Sequence, residues 1–411
     1  MSKKQKRQEP KRHKAAKPSL PQQSLLELPK AHALIKNKRW TEARAVLEAL
    51  NTRYPHRVDV LEPLITVYSE LRDHQTLLAT CRQVASLAPN DGDFLLALGG
   101  AYMINRRPLL ALQTLRHLLE RWPDHAQAAD VRQTITDLEG MMAQVLTDVG
   151  LTGEDGPELA AWHEEAQCLL VEGRYPETRQ MEEQILRRQP DFAPALNNIS
   201  QTYAVEGQLG EAIAAAERVL AFAPENFHAL SNLTRYLCFS GRLAEAKQYA
   251  ERLKAVQSSS VDVWVKKAEA LSFLGDDEGV LAAFRGAEEA GHLKPPLGDP
   301  LLYHLAAVAA LRLGREDVAR QRWQQALKIS PGFEVAQANL DDLRKPVGER
   351  HAPWPYALPN WFLQKSVSEL AVMSKSMPKS AGSQTLQRYL SQHPEFPVVT
   401  AFFNILIRDD Y

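Results

Sequence analysis

Apolar residues recur at helical spacing in short blocks along the chain, and the blocks come in pairs. In the first pair, Leu28 and Leu34 belong to one helical pattern, and Ala43, Leu47 and Leu50 belong to a second. Apolar positions three or four residues apart are typical of an amphipathic helix that buries one face. The pattern therefore predicts pairs of helices joined by short turns.

Prolines reveal the length of the repeating unit. Pro55, Pro89 and Pro123 follow one another at intervals of 34 residues, and Pro190 and Pro224 are separated by the same interval. Proline ends a helix because it cannot donate the backbone hydrogen bond. Since each interval contains two helical patterns, the unit is a helix, a turn and a second helix.

Other residue types also recur at fixed places in the unit. Glycine occupies the predicted turn in five units, as Gly173, Gly207, Gly241, Gly275 and Gly314. A small residue recurs in the second helix, as Ala43, Ala111, Ala212, Ala246 and Ala319. Bulky residues recur near the start of the first helix, as Trp162, Leu196, Leu230, Trp264 and Tyr303. Small residues let two crossing helices approach closely, and large ones fill the space beside the crossing.

These columns resemble the tetratricopeptide repeat, a 34-residue helix pair. The resemblance covers about residues 24–343, in eight units that begin near residues 24, 58, 92, 159, 193, 227, 261 and 300. The first three units depart from it, with Lys38, Arg72 and Arg106 in place of the turn glycine. The resemblance implies an all-α fold, a right-handed α-solenoid of helix-turn-helix repeats with a small helical C-terminal region.

We predict five regions along the chain. Residues 1–23 form a basic disordered tail, and residues 24–125 form an N-terminal array of three repeats. Residues 126–158 are a degenerate repeat, with one long helix to about Asp148 and then a glycine-rich joint. Residues 159–344 form a second array of five repeats plus a capping helix, and residues 345–411 are a linker rich in proline and aromatic residues followed by C-terminal helices.

The resemblance also implies a binding surface. In this family the first helices line a concave groove that holds an extended peptide or a partner helix, and positions 2, 5, 6, 9, 12 and 13 of each unit face it. In the second array the groove positions are Asn197, Asn198, Gln201, Ser231, Asn232, Arg235, Lys266 and Glu269. Side-chain amides such as Asn198 and Asn232, one unit apart, can donate to and accept from a peptide backbone. The alternative is that these amides bond to adjacent helices of the solenoid.

One variant of the family clamps a C-terminal carboxylate with lysines and asparagines from consecutive units. Here the clamp positions hold Asn197, Gln201, Asn232, Asp262 and Lys266, so two of the lysines are missing. The sequence therefore does not predict a clamp of this kind, and the peptide or protein partner is left unspecified.

Charge is distributed unevenly along the chain. The 411 residues carry a net charge of -1, yet the first eighteen contain eight lysines and arginines and only one acidic residue, Glu9. The tail could hold nucleic acid or an anionic surface by counterion release, which gives the alternative function of an adaptor on RNA or on such a surface. Repeats that read single-stranded RNA usually have a different unit length, which disfavours this alternative. The interpretation without a binding role is a solvated, disordered arm that aids solubility.

Motifs of enzyme chemistry are missing from the sequence. There is no glycine-rich phosphate loop, His-Glu-x-x-His helix or nucleophile elbow, so we predict no catalytic residue and no cofactor. Cys81, Cys168 and Cys238 lie far apart, which disfavours a metal site and fits a reducing compartment. No apolar run reaches the roughly 18 residues that a membrane span needs. These features favour a cytoplasmic, non-catalytic scaffold that binds protein.

Aromatic residues are concentrated after the last repeat. Trp354, Tyr356, Trp361 and Phe362 occur among prolines, and we expect them to cap the open face of the array, with a partner-binding patch as the alternative. Residues 396–407 are nearly all apolar, so we expect them to be buried in their own region or against a second copy of the chain. Homo-association through the C-terminal region is therefore a further expectation.

Overall fold

A computed structural model describes residues 24–294 and 298–356 of the chain. The predicted tail, the aromatic residues Trp361 and Phe362 and the apolar stretch at 396–407 lie outside the described residues. Within the described ranges all regular structure is helical, which confirms the predicted all-α fold. The α-helices are α1 Ser24–Lys36, α2 Trp40–Arg53, α3 Val58–Leu71, α4 His74–Leu87, α5 Gly92–Ile104, α6 Pro108–Arg121, α7 Ala128–Val149, α8 Gly156–Val171, α9 Tyr175–Arg188, α10 Ala193–Val205, α11 Leu209–Phe222, α12 Phe227–Phe239, α13 Leu243–Ala255, α14 Asp262–Leu274, α15 Asp277–Glu289, α16 Pro300–Arg312, α17 Glu316–Ile329 and α18 Glu334–Asp342.

The described chain divides into two compact units, one up to Val67 and one from Tyr68 onward. In the first unit, α1 packs on α2, and Leu34, Ala43, Leu47 and Leu50 form its buried core. These are the residues that the first apolar pattern places on the inner faces of the two helices. Neither helix has enough apolar surface to be stable alone, so the unit depends on their pairing.

The second unit is a succession of helix pairs. The earlier member of each pair is called here its first helix and the later member its second helix. The two members pack closely in the pairs α5 with α6, α8 with α9, α10 with α11, α12 with α13, α14 with α15, and α16 with α17. The first helices begin at residues 92, 156, 193, 227, 262 and 300, within three residues of the predicted unit starts. The 34-residue register read from the prolines therefore predicts the helix pairs correctly.

Alanines lie at the points where helices cross. Ala212, Ala246 and Ala319 have no exposed surface. Beside them, Tyr236 and Trp323 are also fully buried and fill the spaces between pairs. One apolar core runs without interruption from Ala204 to Leu343, so successive pairs share it and no pair has a core of its own.

First helices approach one another more closely than second helices do. α10 packs on α12, α12 on α14, and α14 on α16, whereas the second helices pack chiefly on first helices before and after them. Because the stack is tighter along the first helices, their common face lies on the inside of its curve. We call the face formed by α10, α12, α14, α16 and α18 the groove.

The turns inside the helix pairs need a left-handed residue. Gly241 and Gly275 each have φ of 71°, and the other turn glycines have similar values. Lys38, Arg72 and Arg106, which replace glycine in the first three pairs, adopt φ of 55° to 56°. The early units thus keep the same turn geometry despite side chains that disfavour it.

The predicted joint after α7 has a specific construction. α7 ends at Val149, where Gly150 takes φ of 83°, and α8 begins at Gly156. A Cβ atom on Gly156 would lie 2.1 Å from the carbonyl oxygen of Leu151, so only glycine fits there. α8 then packs against α6 and α4, both of which are second helices. The array is therefore not continued by simple stacking at this point.

Buried charges fix α8 in this place. The Glu164 carboxylate accepts hydrogen bonds from the backbone N–H groups of Leu109 and Leu110, at 3.2 and 2.9 Å, and so caps the start of α6. Burial raises the pKa of Glu164 to about 7, against the effect of these two hydrogen bonds. On α4, Arg82 pairs with Glu165 and Glu172 at 2.7 and 2.5 Å. The joint is therefore held by polar contacts as well as by apolar packing.

The turn geometry yields a matched pair of substitutions. Gly241→Ala forces a Cβ into the left-handed region, so we expect it to lower the free energy of unfolding by about 1 kcal/mol. Gly210→Ala, in α11 with open space around it, should instead raise that free energy by about 0.5 kcal/mol. Urea unfolding followed by circular dichroism measures both changes. The same sign for both variants would contradict the assignment of the turns.

Candidate functional site: the groove of the first helices

The structure places all eight predicted groove residues on three consecutive first helices. Asn197, Asn198 and Gln201 lie on α10, Ser231, Asn232 and Arg235 on α12, and Lys266 and Glu269 on α14. Because α10 packs on α12 and α12 on α14, the three helices carry these residues on one continuous face. Their side chains nevertheless have different partners.

Three of the eight side chains form hydrogen bonds to neighbouring helices of the solenoid, and Asn197 and Ser231 are two of them. The Asn197 amide is buried and donates to Asn226 Oδ1 at 3.3 Å, and Asn226 itself caps α12 by accepting from the Ala229 N–H at 2.9 Å. The Ser231 hydroxyl donates to the carbonyl oxygen of Lys266 at 3.1 Å. These contacts correspond to the alternative that the sequence leaves open, in which polar groove residues bond within the solenoid.

The other two α10 residues differ from each other. Asn198 donates to Glu182 Oε1 at 2.6 Å, and Glu182 also contacts the ring of His163 at 3.0 Å. Gln201 is half-buried, and its amide forms no hydrogen bond with any residue in the described part of the chain. Gln201 is therefore the groove amide with both its donor and its acceptor available to a ligand.

A compact polar network joins α12 to α14. Arg235 donates to Asn232 Oδ1 at 3.2 Å, and Lys266 pairs with Glu269 at 2.5 Å. Burial opposes the charge on Arg235, but Tyr236 and Glu269 outweigh it and raise the Arg235 pKa. Burial likewise opposes the charge on Glu269, but Lys266 and Arg235 hold the pKa of that carboxyl below its usual value. Arg235 and Glu269 therefore both stay charged near neutral pH.

Several groove residues were missed by the sequence analysis. His228, Phe273, His304 and Asn339 lie on α12, α14, α16 and α18, at positions 2, 13, 5 and 6 of their units. The groove positions of the family include these places when α18 is numbered as the first helix of a further unit, so applying them to every unit and to the capping helix would have found these residues. Burial, reinforced by the charge on Lys266, lowers the pKa of His228 to about 4.

The chain itself enters the groove after α18. Asn339 Nδ2 donates to the carbonyl oxygen of Trp354 at 2.8 Å, and the Trp354 N–H donates back to Asn339 Oδ1 at 3.0 Å. His304 Nε2 contacts the carbonyl oxygen of Pro355 at 3.0 Å. The ring of Tyr356 stacks on Phe273 with centroids 5.0 Å apart. Trp354 and Tyr356 were expected to cap the open end of the array, and the structure places Tyr356 inside the groove.

The tautomer of His304 follows from its two partners. The Trp323 indole N–H, which can only donate, points at His304 Nδ1 at 3.0 Å. Nδ1 therefore accepts, and Nε2 carries the hydrogen that is donated to Pro355. Burial lowers the pKa of His304 to about 4, against the effect of its backbone partners. A second proton would face the Trp323 donor, so protonation of His304 breaks this contact.

Three titratable side chains that are adjacent in the sequence, His163, Glu164 and Glu165, do not meet at one site in the structure. They contact Glu182, the start of α6 and Arg82 respectively. Among the described residues there is no group of three His, Cys, Asp or Glu side chains able to hold a metal ion. Likewise, none of the described helices has both the length and the apolar character needed to cross a bilayer.

Protonation of His304 generates a prediction about pH. The unfolded chain takes up this proton below about pH 6.5, whereas the folded chain does so only near pH 4, so stability is complete above this window and is lost as the pH falls through it. His304→Gln keeps an acceptor for Trp323 and a donor for Pro355 but cannot titrate. We expect the slope of unfolding free energy against pH to fall by up to about 1.4 kcal/mol per pH unit between pH 6 and 4.5.

Urea titrations followed by tryptophan fluorescence at several pH values measure that slope. His228 titrates in the same window, so a smaller slope in His304→Gln, rather than a vanishing one, is the expected result. An unchanged slope would show that His304 takes up its proton equally in both states.

Comparison with known proteins agrees with this architecture. The tetratricopeptide repeat family model matches residues 193–226, which comprise α10, α11 and the turn that follows them. No curated protein matches the sequence significantly.

Solved structures also resemble the chain. The tetratricopeptide repeat domain of P58(IPK) is 17% identical with a TM-score of 0.29, covering 79% of this chain and 100% of its own. The type IV pilus biogenesis factor PilW is 17% identical with a TM-score of 0.25, covering 57% and 94%. The TPR2AB domain of yeast Sti1, in complex with pHSP90, is 14% identical with a TM-score of 0.26, covering 65% and 96%. At these TM-scores the likenesses carry no argument about function.

The matched unit at residues 193–226 is one of a series of equivalent helix pairs in the structure. The pairs before and after it share its left-handed turn, and the pair after it also shares its register and its buried alanine, as Ala246. The chain is a tetratricopeptide repeat protein.

Proposed function

We propose that the protein is a non-catalytic adaptor that binds an extended segment of a partner protein along the groove. Repeats of this kind support protein–protein interaction in general, and the proposal assigns that interaction to the face of α10, α12 and α14. The residues concerned are those that the sequence analysis selects, apart from Asn197 and Ser231, which serve the packing of the solenoid.

One observation carries the proposal. Asn198, Asn232 and Asn339 are each the sixth residue of their helices, α10, α12 and α18. In the last of these, the amide of Asn339 already holds a stretch of backbone, donating to one peptide group and accepting from the same residue. Recognition through backbone groups does not depend on the side chains of the bound segment. The same position on α10 and α12 carries the same amide, of which Asn198 donates to Glu182 and Asn232 accepts from Arg235.

The charge of the groove is compatible with a bound peptide that carries neither a strongly positive nor a strongly negative net charge. Arg235 and Lys266 face Glu269 within one network, which leaves an excess of only one positive charge. A surface of this kind does not select strongly for a basic or an acidic partner. Affinity would then come from backbone hydrogen bonds and from apolar contact with rings such as Phe239 and Phe273, whose centroids are 5.2 Å apart.

Gln201 offers the sharpest test of this assignment. Gln201→Arg adds a long charged side chain at a half-buried position of α10 without removing a hydrogen bond to any described residue. We expect recovery of bound partners to fall at least about 10-fold, which corresponds to roughly 1.4 kcal/mol of binding free energy. Affinity capture with the full chain, followed by quantitative mass spectrometry, measures the recovery.

Gln248→Arg is the matched control because it makes the same change at an exposed position of the second helix α13. Partners that bind the groove should be lost with Gln201→Arg and retained with Gln248→Arg. Equal recovery with both variants would remove the groove as the binding surface.

A further inference from the structure

Residues 351–356 occupy the groove in the way that a bound peptide would. Three consecutive residues reach three consecutive first helices: Trp354 contacts α18, Pro355 contacts α16, and Tyr356 contacts α14. The segment therefore runs along the groove against the order of the repeats. Its partners Asn339, His304 and Phe273 all lie at positions that face the groove.

Most of the polar contacts of this segment use backbone atoms. Asn339 binds both the N–H and the carbonyl of Trp354, and His304 binds the carbonyl of Pro355. The side chain of Trp354 itself is 37% exposed, whereas Pro353 and Pro355 are buried. The groove thus reads an extended backbone, with proline rings facing inward at every second residue.

The side chain of Tyr356 makes the specific contact. Its ring stacks on Phe273 at an interplanar angle of 15°, and Phe273 in turn meets the edge of Phe239. The phenol interacts electrostatically with Arg235 and Glu269, two residues of the polar network described above. Tyr356 therefore reaches the surface that the proposed function assigns to the partner.

The connection to the array is short and anchored. A turn at Val347–Glu349 follows α18, and the side chain of Val347 is 80% exposed. Arg350 then pairs with Glu316 at 2.7 Å and donates to the carbonyl oxygen of Leu343 at 2.8 Å. A ligand tethered at so short a distance competes with free ligands at an effective concentration on the order of millimolar.

We propose that residues 353–356 are an intramolecular ligand that closes the α14 to α18 part of the groove to peptides of the same chemistry. That chemistry is an extended segment in which proline precedes an aromatic residue. The inference rests on the proposed function, since it names the kind of partner that the groove takes and the contact that such a partner must displace. A partner segment with proline before an aromatic residue replaces the chain's own residues on Asn339, His304 and Phe273.

A synthetic peptide tests the proposal directly. A fluorescein-labelled peptide with the sequence of residues 350–356 is titrated against the full chain and against the full-length Tyr356→Ala variant, with fluorescence polarisation as the readout. Tyr356→Ala removes the stacking contact of the tethered segment, and the added peptide still carries its own tyrosine. We expect the variant to bind the peptide at least about 10-fold more tightly than the unchanged chain, because the tethered competitor is weakened.

Two further variants serve as controls. Phe222→Ala removes an aromatic ring from α11 that is 42% exposed and should leave peptide binding as it is in the unchanged chain. The double variant Tyr356→Ala with Phe273→Ala should lose the gain, because the added peptide then has no ring to stack on. Equal affinity of the unchanged chain and Tyr356→Ala, or no binding by folded Tyr356→Ala, would overturn the proposal.

Hydrogen exchange in the unchanged chain provides a measurement that needs no variant. A displaceable segment opens locally, so amides at 351–356 should exchange at least about 10-fold faster than those in the middle of α16, such as Val308. If both sets of amides exchanged at one common rate, residues 351–356 would be a permanent part of the core. That result would also overturn the proposal. Neither the peptide titration nor the hydrogen-exchange result depends on Gln201. If residues 353–356 are not an intramolecular ligand, this outcome can therefore be distinguished from a wrong assignment of the partner to α10.

Discussion

The whole structure depends on close contact between helices that cannot bury their apolar faces alone. That contact is permitted by the alanines at the crossings, Ala212, Ala246 and Ala319, which are completely buried. A larger side chain there would separate the helices and open the core on both sides, at a cost of about 1 to 3 kcal/mol. Because each pair relies on its neighbours, stability is a property of the stack, and the surface chemistry of the first helices is free to vary.

Because stability comes from the stack, polar groups can be placed on the groove face of the first helices. Both helices of each pair contribute to the apolar core, and the first helices also carry the network of Arg235, Lys266 and Glu269 on their groove face. Polar groups with partial burial favour ligands that satisfy their hydrogen bonds. The chain's own residues Trp354 and Pro355 do so at one end of the groove, and in the proposed function a partner does so at the other.

Much of the fold could be predicted because its signals are local. A proline that ends a helix, or a glycine such as Gly241 in a left-handed turn, leaves a mark at one position in the sequence and recurs with the unit. Local signals could not predict which groove side chains bond within the solenoid and which are available to a ligand. Whether Asn197 or Gln201 is free depends on distances between helices, such as the 3.3 Å from Asn197 to Asn226, and the sequence contains no direct record of them. The return of residues 351–356 into the groove is likewise a long-range contact.

The central claim is that partners bind the first helices, and site-specific photo-cross-linking tests it most directly. A benzophenone amino acid is placed at position 201 on α10 in one preparation of the full chain and at position 248 on α13 in another, and each is irradiated with an extract of the native host. The account predicts partner cross-links at 201 that are at least about 10-fold more abundant than at 248. Equal yields at the two positions, or a higher yield at 248, would contradict it.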